Sequence, residues 1–269
     1  MKKTIVSSIV SIFALPVLHA AATVNFDPTG ELAGQFTGGP YSESATGGLS
    51  SSVGVTLGNI SVTSFSGSQS ESHLAGGFSA GNKFTVGAYF KLSNLGTGVG
   101  DPGEFLRLGL TAGAATNFTS LPFSTLRQTN ATTGSFQFGA RTEASDSSNF
   151  TLNSAQWYYF ETTFARSATA DVVSYDMLIT NSTSDGVIGS VLDTYNFTSA
   201  GGVAGGLTDA TMNGVIFGGF KGHTGFTNGA AGVLDNFYVS KLGVSQIPEP
   251  AAAALGLIGL MSFSLRRRR

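Results

Sequence analysis

A chain of 269 residues is long enough to bury a sizeable core as one β-sandwich domain. It contains no cysteine, which excludes disulfides, thiolate nucleophiles and cysteine-bearing zinc sites, so apolar packing and hydrogen bonds must hold it together. Six of the 14 basic residues and one of the 16 acids lie at the two ends, leaving residues 23–247 with eight bases against 15 acids, a field that repels phosphate backbones and excludes nucleic acid as a partner.

The chain opens with Lys2 and Lys3, an apolar stretch from Thr4 to Leu18, and the small residues Ala20, Ala21 and Ala22. That order predicts a signal peptide over residues 1–22, cut by a signal peptidase to leave a mature start near Ala21 or Thr23. Alternation then predicts strands. Phe84, Val86, Ala88, Phe90 and Leu92 share one face, and Thr85, Tyr89 and Lys91 the other. Leu106, Leu108 and Leu110 repeat the pattern around Arg107, and Phe136, Phe138 and Ala140 repeat it against Gln137 and Arg141.

Residues Trp157 to Phe164 are dense in aromatic and β-branched types, and Val173, Tyr175, Met177 and Ile179 alternate against Ser174, Asp176 and Thr180. Asp185-Gly186 marks a hairpin turn before Val187 to Leu192, and the last strand is expected over Val233 to Leu242. No sustained helical stripe occurs between residues 23 and 245, so one antiparallel β-sandwich domain is expected there. The three Asn-Phe-Thr triplets at Asn117, Asn149 and Asn196 are unequally spaced and do not make a repeat.

Residues 246–269 carry Pro248-Glu249-Pro250, an uncharged stretch from Ala251 to Leu265, and the cluster Arg266, Arg267, Arg268 and Arg269. The prolines keep the tripeptide extended. The apolar stretch makes a short transmembrane helix of about 22 Å, against a hydrocarbon core of about 30 Å, and snorkelling arginines cover part of the difference. The arginines set that end on the cytoplasmic side and the domain on the other. This three-part tail resembles the PEP-CTERM sorting signal of Gram-negative-type bacteria. The resemblance covers Ile247 to Arg269 and implies an exosortase-type processing enzyme as partner, transient anchoring in the inner membrane, and delivery to the cell envelope or extracellular matrix, often with exopolysaccharide.

A second resemblance rests on Phe84 to Leu92, then Trp157-Tyr158-Tyr159, then Val233-Leu234-Asp235-Asn236-Phe237-Tyr238-Val239, an order similar to the concanavalin A-like, laminin-G-like jelly-roll domains. It implies a jelly-roll-type sandwich. Relatives that hydrolyse glucans place acids at Glu-x-Asp-x-Glu or Glu-x-Asp-x-x-Glu spacing, because retaining cleavage needs two carboxyls about 5 Å apart. Neither spacing occurs, and Glu143 with Asp146 reads as a solvated turn. Relatives often hold calcium, for which Asp101, Glu104, Asp185 and Asp209 lie in Gly-rich surroundings without a calcium-loop spacing. No other cofactor is expected, since only His73 and His223 remain outside the signal peptide.

Asp235 is expected to share the face of Phe237 and Val239, either accepting backbone N–H groups from a neighbouring turn or ligating a metal. Trp157 and Tyr159, one face of an aromatic run, are the candidates for stacking on a sugar, with packing as the competing role. Together these readings point to a non-enzymatic exported protein that binds or organises extracellular polysaccharide. A glycan-active hydrolase or lyase with an unrecognised site, and a purely structural or adhesive surface protein, are the alternatives.

Overall fold

The alternating apolar faces read from the sequence close on one another as two antiparallel sheets. The computed structural model describes residues 21–24, 42–57, 66–67, 83–95, 103–111, 122–130, 133–140, 148–167, 172–198, 214–219 and 231–240. Residues 1–20 of the expected signal segment, the Pro-Glu-Pro tail with its arginines, Glu143, Asp146, Asp101, Asp209, His73 and His223 lie outside these residues. Among the described residues no helix is long and apolar enough to cross a membrane.

The large sheet contains β1 (Ala21–Val24), β2 (Ser42–Ser44), β3 (Gly54–Leu57), β5 (Lys83–Asn94), β10 (Trp157–Arg166), β11 (Val173–Ser182), β12 (Ile188–Thr198) and β14 (Ala231–Ser240). Its spatial order is β12-β11-β10-β5-β14-β3-β2, with β1 also paired to β14. The small sheet runs β4 (Ser66–Gly67), β13 (Gly214–Gly219), β6 (Gly103–Thr111), β7 (Phe123–Asn130), β8 (Ser135–Ala140) and β9 (Phe150–Thr151). Because β4 and β13 interrupt the large-sheet strands in sequence, the chain passes back and forth between layers, and β5 pairs with the distant β14.

The inner faces make one core. Phe84, Val86, Ala88, Phe90 and Leu92 of β5 meet Leu106, Leu108 and Leu110 of β6, with Phe160 and Phe164 of β10 and Phe136 and Phe138 of β8. Phe138 stacks on Phe160 from across the sandwich, with centroids 5.9 Å apart. One polar pair crosses the core as well, since the Ser124 and Thr162 hydroxyls lie 2.6 Å apart.

Strand boundaries differ from expectation in two places. The last strand begins at Ala231 rather than Val233 and is described to Ser240, the expected end at Leu242 lying outside the described residues, and the strand after Asp185-Gly186 runs Ile188–Thr198, well past Leu192. In the second case Tyr195 and Phe197 continue the inward alternation by packing against the core, which the sequence hides behind Asp193, Thr194 and Asn196.

A third correction concerns β14. Asp235 pairs with Tyr89 and Tyr238 with Gly87, so Asn236 and Phe237 together face Ala88. Asn236 adopts φ 45° and makes this bulge. The extra residue inverts the alternation: Leu234, Phe237 and Val239 point into the core, while Val233 packs in a separate cluster on the outer face. Asp235 therefore lies on the outer side with Val233, not on the face of Phe237 and Val239.

Candidate functional site

The outer face of the large sheet carries a second, smaller core of Leu49, Tyr89, Trp157, Tyr159 and Val233, with Ile188 against it. Its rows follow from strand register. Thr180, Tyr159, Tyr89 and Asp235 stand abreast on β11, β10, β5 and β14, and Glu161, Gly87 and Tyr238 form the next row. Two segments cover it. The hairpin turn at Asp185-Gly186 is tied down where the Tyr89 hydroxyl donates to the Gly186 carbonyl at 2.9 Å. The Leu49–Ser51 turn is joined to the same hairpin by the Ser50 N–H, which donates to the Ser184 carbonyl at 2.7 Å.

Asp235 organises the Leu49–Ser51 turn. Its Oδ2 accepts the Leu49 N–H at 2.7 Å and the Ser52 hydroxyl at 3.1 Å, and its Oδ1 accepts the Asn236 N–H at 2.7 Å. Ser50 and Ser51 adopt left-handed backbone, φ 52° and 65°, a conformation that surrounding contacts must enforce for residues with a Cβ. The Asp235 carboxylate is 1 % exposed and spends its lone pairs on these donors, which is the backbone-accepting role and not that of a metal ligand. Among the described residues no three acids or histidines gather to hold a metal ion.

Trp157 and Tyr159 do share the outer face, but neither ring is presented to solvent. Trp157 is 5 % exposed with the Lys91 ammonium 5.0 Å from its ring centroid, and Tyr159 is fully buried. Tyr159 lies 4.8 Å from the Tyr89 ring and donates its hydroxyl to Glu161 Oε2 at 2.7 Å. A stacking platform needs an open ring face; these rings are packing, so the sugar-stacking expectation is corrected.

Burial, and then the neighbouring Glu161 carboxylate, push the Tyr159 phenol well above the ordinary value of 10.0. Burial also raises Tyr89, Tyr158 and Tyr238. A phenol raised in the folded state stabilises the fold fully below its unfolded value; above that, the unfolded chain releases protons that the folded chain keeps. Stability should therefore fall as pH rises past about 10, with tyrosinate absorbance appearing in step with loss of the strand circular-dichroism signal. Titration of all seven tyrosines near their ordinary value with the fold intact would contradict this.

The two buried outer-face acids do not form a glycosidase pair. Glu161 and Asp235 belong to strands two spacings apart, about 10 Å, and Asp235 is saturated by its own donors. Of the calcium candidates, Asp185 lies in the hairpin turn and Glu104 in β6, on opposite sheets.

The surface that the sequence did not single out is the outer face of the small sheet. On β7, Ser124 and Leu126 point inward and Phe123, Thr125, Arg127 and Thr129 take the other side, where Phe123 and Thr125 are buried and Arg127 and Thr129 half-buried. Arg107 on β6 stands in register with Thr125 and lays its guanidinium 4.6 Å from the Phe123 ring centroid. Arg127 stands in register with Gln137 on β8. Its guanidinium packs over Gly139, where a Cβ would sit 2.8 Å from Nε and 3.0 Å from Cζ. Beyond it the Thr129 hydroxyl donates to Ser135 Oγ at 2.9 Å. The result is a short track of half-exposed guanidiniums, amide and hydroxyls at Arg107, Arg127, Gln137, Thr129 and Ser135. The hints in the sequence were Arg107 between Leu106 and Leu108 and Gln137 between Phe136 and Phe138; β7, with its mixed Phe-Ser-Thr-Leu-Arg-Gln-Thr-Asn, carries no clean alternation.

No family model matches the chain, and no curated protein matches it in sequence. Several solved structures are similar to it. A basic winged bean lectin with Tn-antigen matches at 11 % identity and TM-score 0.40, over 82 % of this chain and 98 % of the lectin. A botulinum neurotoxin serotype C1 binding domain matches at 14 % identity and TM-score 0.39, over 76 % of this chain and 44 % of that one. A GH54 α-L-arabinofuranosidase soaked with a cyclic sulfate inhibitor matches at 13 % identity and TM-score 0.40, over 74 % of this chain; the chain spans 39 % of the arabinofuranosidase's length.

Proposed function

We propose that this is an exported protein of the bacterial envelope or matrix, without a catalytic role, that binds or organises extracellular polysaccharide. The observation that carries the reading is the small-sheet track, where planar guanidiniums, the Gln137 amide and the Thr129 and Ser135 hydroxyls line one continuous face. Such groups suit a hydroxyl-rich polymer lying along a strand. Export is supported by the basic and apolar start and by the tail, with Pro248-Glu249-Pro250 as the exosortase motif and Arg266 to Arg269 as the cytoplasmic end.

The fold also favours one of the two mature starts. Ala21 pairs with Ser240, Ala22 with Val239, Thr23 with Tyr238 and Val24 with Phe237. A cut before Ala21 keeps all of β1, whereas a cut before Thr23 removes half of it and bares the edge of β14.

A second reading, a structural or adhesive surface protein, is favoured by the terminal strand of the large sheet. Val187, Val191 and Leu192 are the large hydrophobics exposed among the described residues, and all lie on β12 or its turn. Asp193, in register with the core residue Ile179, works against edge pairing as an inward-pointing charge.

The full chain, produced in a bacterium with a signal peptidase and an exosortase, should appear outside the inner membrane, begin at Ala21 by intact mass, and be retained on that host's extracellular polysaccharide. Exported protein that ignores the polysaccharide but forms concentration-dependent oligomers would move the assignment to the second reading. Retention of Met1 in the cytoplasm would overturn export itself.

A further inference from the structure

On the outer side of the large sheet Thr85, Glu161 and Tyr238 are buried, whereas the hairpin of β11 and β12 is open along part of its length. Thr180 and Ser182 on β11 are buried, and the open stretch begins at the half-buried Leu178. From there three register pairs run to the end of the hairpin: Leu178 with Thr194, Asp176 with Asn196, and Ser174 with Thr198. They cover about 14 Å of strand. Tyr195 and Phe197 turn inward against the core, so the parity of Asn196-Phe197-Thr198 sets the two polar side chains of that triplet outside. Asp176, Thr194, Asn196 and Thr198 are all exposed.

We propose that this stretch binds a neutral, hydroxyl-rich polysaccharide, with Asp176 and Asn196 as the pair that takes its hydroxyls and Leu178 as the apolar contact beneath a ring; the proposal rests on the polysaccharide reading above. An aspartate directly opposite an asparagine places acceptor oxygens and an amide donor about 5 Å apart. That combination suits adjacent sugar hydroxyls, each of which both donates and accepts. Thr194 and Thr198 continue the row on either side of Asn196. The charge at the centre is a carboxylate, and the two strands contain no lysine, arginine or glutamate. A polyanion is repelled there, and a neutral chain is not.

Two further features favour side-chain contact with a glycan over pairing with a protein strand. Among the described strands β12 is the terminal one of its sheet, but its first half carries two register shifts against β11. Leu192 falls between the paired residues Val191 and Asp193, and Asp193 points inward beside Ile179. Bulges and an inward charge both resist strand addition. The short serine, threonine and asparagine side chains also lose less rotamer freedom on binding than the long charged ones that commonly guard an edge. Val191 and Leu192, exposed at the near end of the row, add apolar surface for the C–H groups of a sugar.

The test uses the full chain in affinity electrophoresis through gels containing dextran, hydroxyethyl cellulose or polygalacturonate. Retardation is expected in a neutral gel and not in polygalacturonate, with little change between low and high salt. Asp176→Ala should weaken it about tenfold and Asn196→Ala about fivefold, with melting temperatures close to the parent's because both side chains are exposed. Thr194→Arg lays a long cation across the row and should abolish retardation. Binding to a neutral gel or to the host polysaccharide that all three variants leave unchanged would overturn this assignment while leaving the polysaccharide reading standing, and tighter binding to polygalacturonate would overturn the neutral class. Concentration-dependent dimers that Thr194→Arg disperses would give the surface to a second copy of the chain instead. A folded parent chain that binds none of these polymers would overturn both.

Discussion

Replacing Gly87 with alanine should lower the stability of the domain by about 4 kcal/mol, a fall in melting temperature on the order of 10 °C. Gly87 faces the Tyr159 ring across the β5–β10 pairing, and an added Cβ would stand 2.2 Å from its hydroxyl and 2.7 Å from Cζ. The ring has nowhere to go. Tyr89 packs at 4.8 Å on one side, and the hydroxyl is committed to Glu161 at 2.7 Å. Moving the ring breaks that bond and leaves a fully buried acid short of a donor, so overpacking and desolvation act together. The entropy that alanine removes from the unfolded chain offsets less than about 1 kcal/mol. Tyr159→Phe in the same protein should restore only part of the loss, since Cζ remains too close. A Gly87→Ala protein melting within about a degree of its parent would show that the outer cluster is loosely packed.

Asp235→Ala should cost about 3 kcal/mol, and its effect should be local before it is global. The Leu49 N–H and the Ser52 hydroxyl lose their shared acceptor, and the buried amide is left to bear its desolvation penalty. Without it Ser50 and Ser51 have less reason to stay left-handed, and the turn should come away from the hairpin that it meets at Ser184. Limited proteolysis should then cut between residues 45 and 52 well below the melting temperature. Asp235→Asn, which keeps one carbonyl oxygen, should lose roughly half as much. Resistance to proteolysis equal to the parent's would mean that the turn is held by its own Gly48–Ser52 backbone bond instead.

What was legible in the sequence is the inner face. Phe84 to Leu92, Val173 to Ile179 and Phe136 to Ala140 alternate because each strand buries one side, and those positions are the core. The outer faces were harder to read. Tyr89, Trp157 and Tyr159 look like presented aromatics until the Leu49–Ser51 turn and the Asp185-Gly186 hairpin fold over them, contacts that no local pattern announces. The bulge at Asn236 is equally silent, because a single left-handed residue shifts the parity of all that precedes it. The role of Asp235 as a backbone acceptor was readable from its lone charge amid Leu234 and Phe237; its side of the sheet was not. Arg127 and Gln137 became a pair only through the register of β7 with β8.

The placement of β14 has a consequence for the order in which the molecule can assemble. This strand is the last described element in sequence, yet it stands between β5 and β3 and also receives β1. A chain that emerges amino end first, from a ribosome or from a membrane channel, therefore has the first described strand and the middle of its large sheet waiting on the last described one. Loop-closure entropy keeps such long-range pairings unformed until the partner arrives. The large sheet cannot close before β14 has emerged, so until then the chain keeps the pliancy of a threadable polymer.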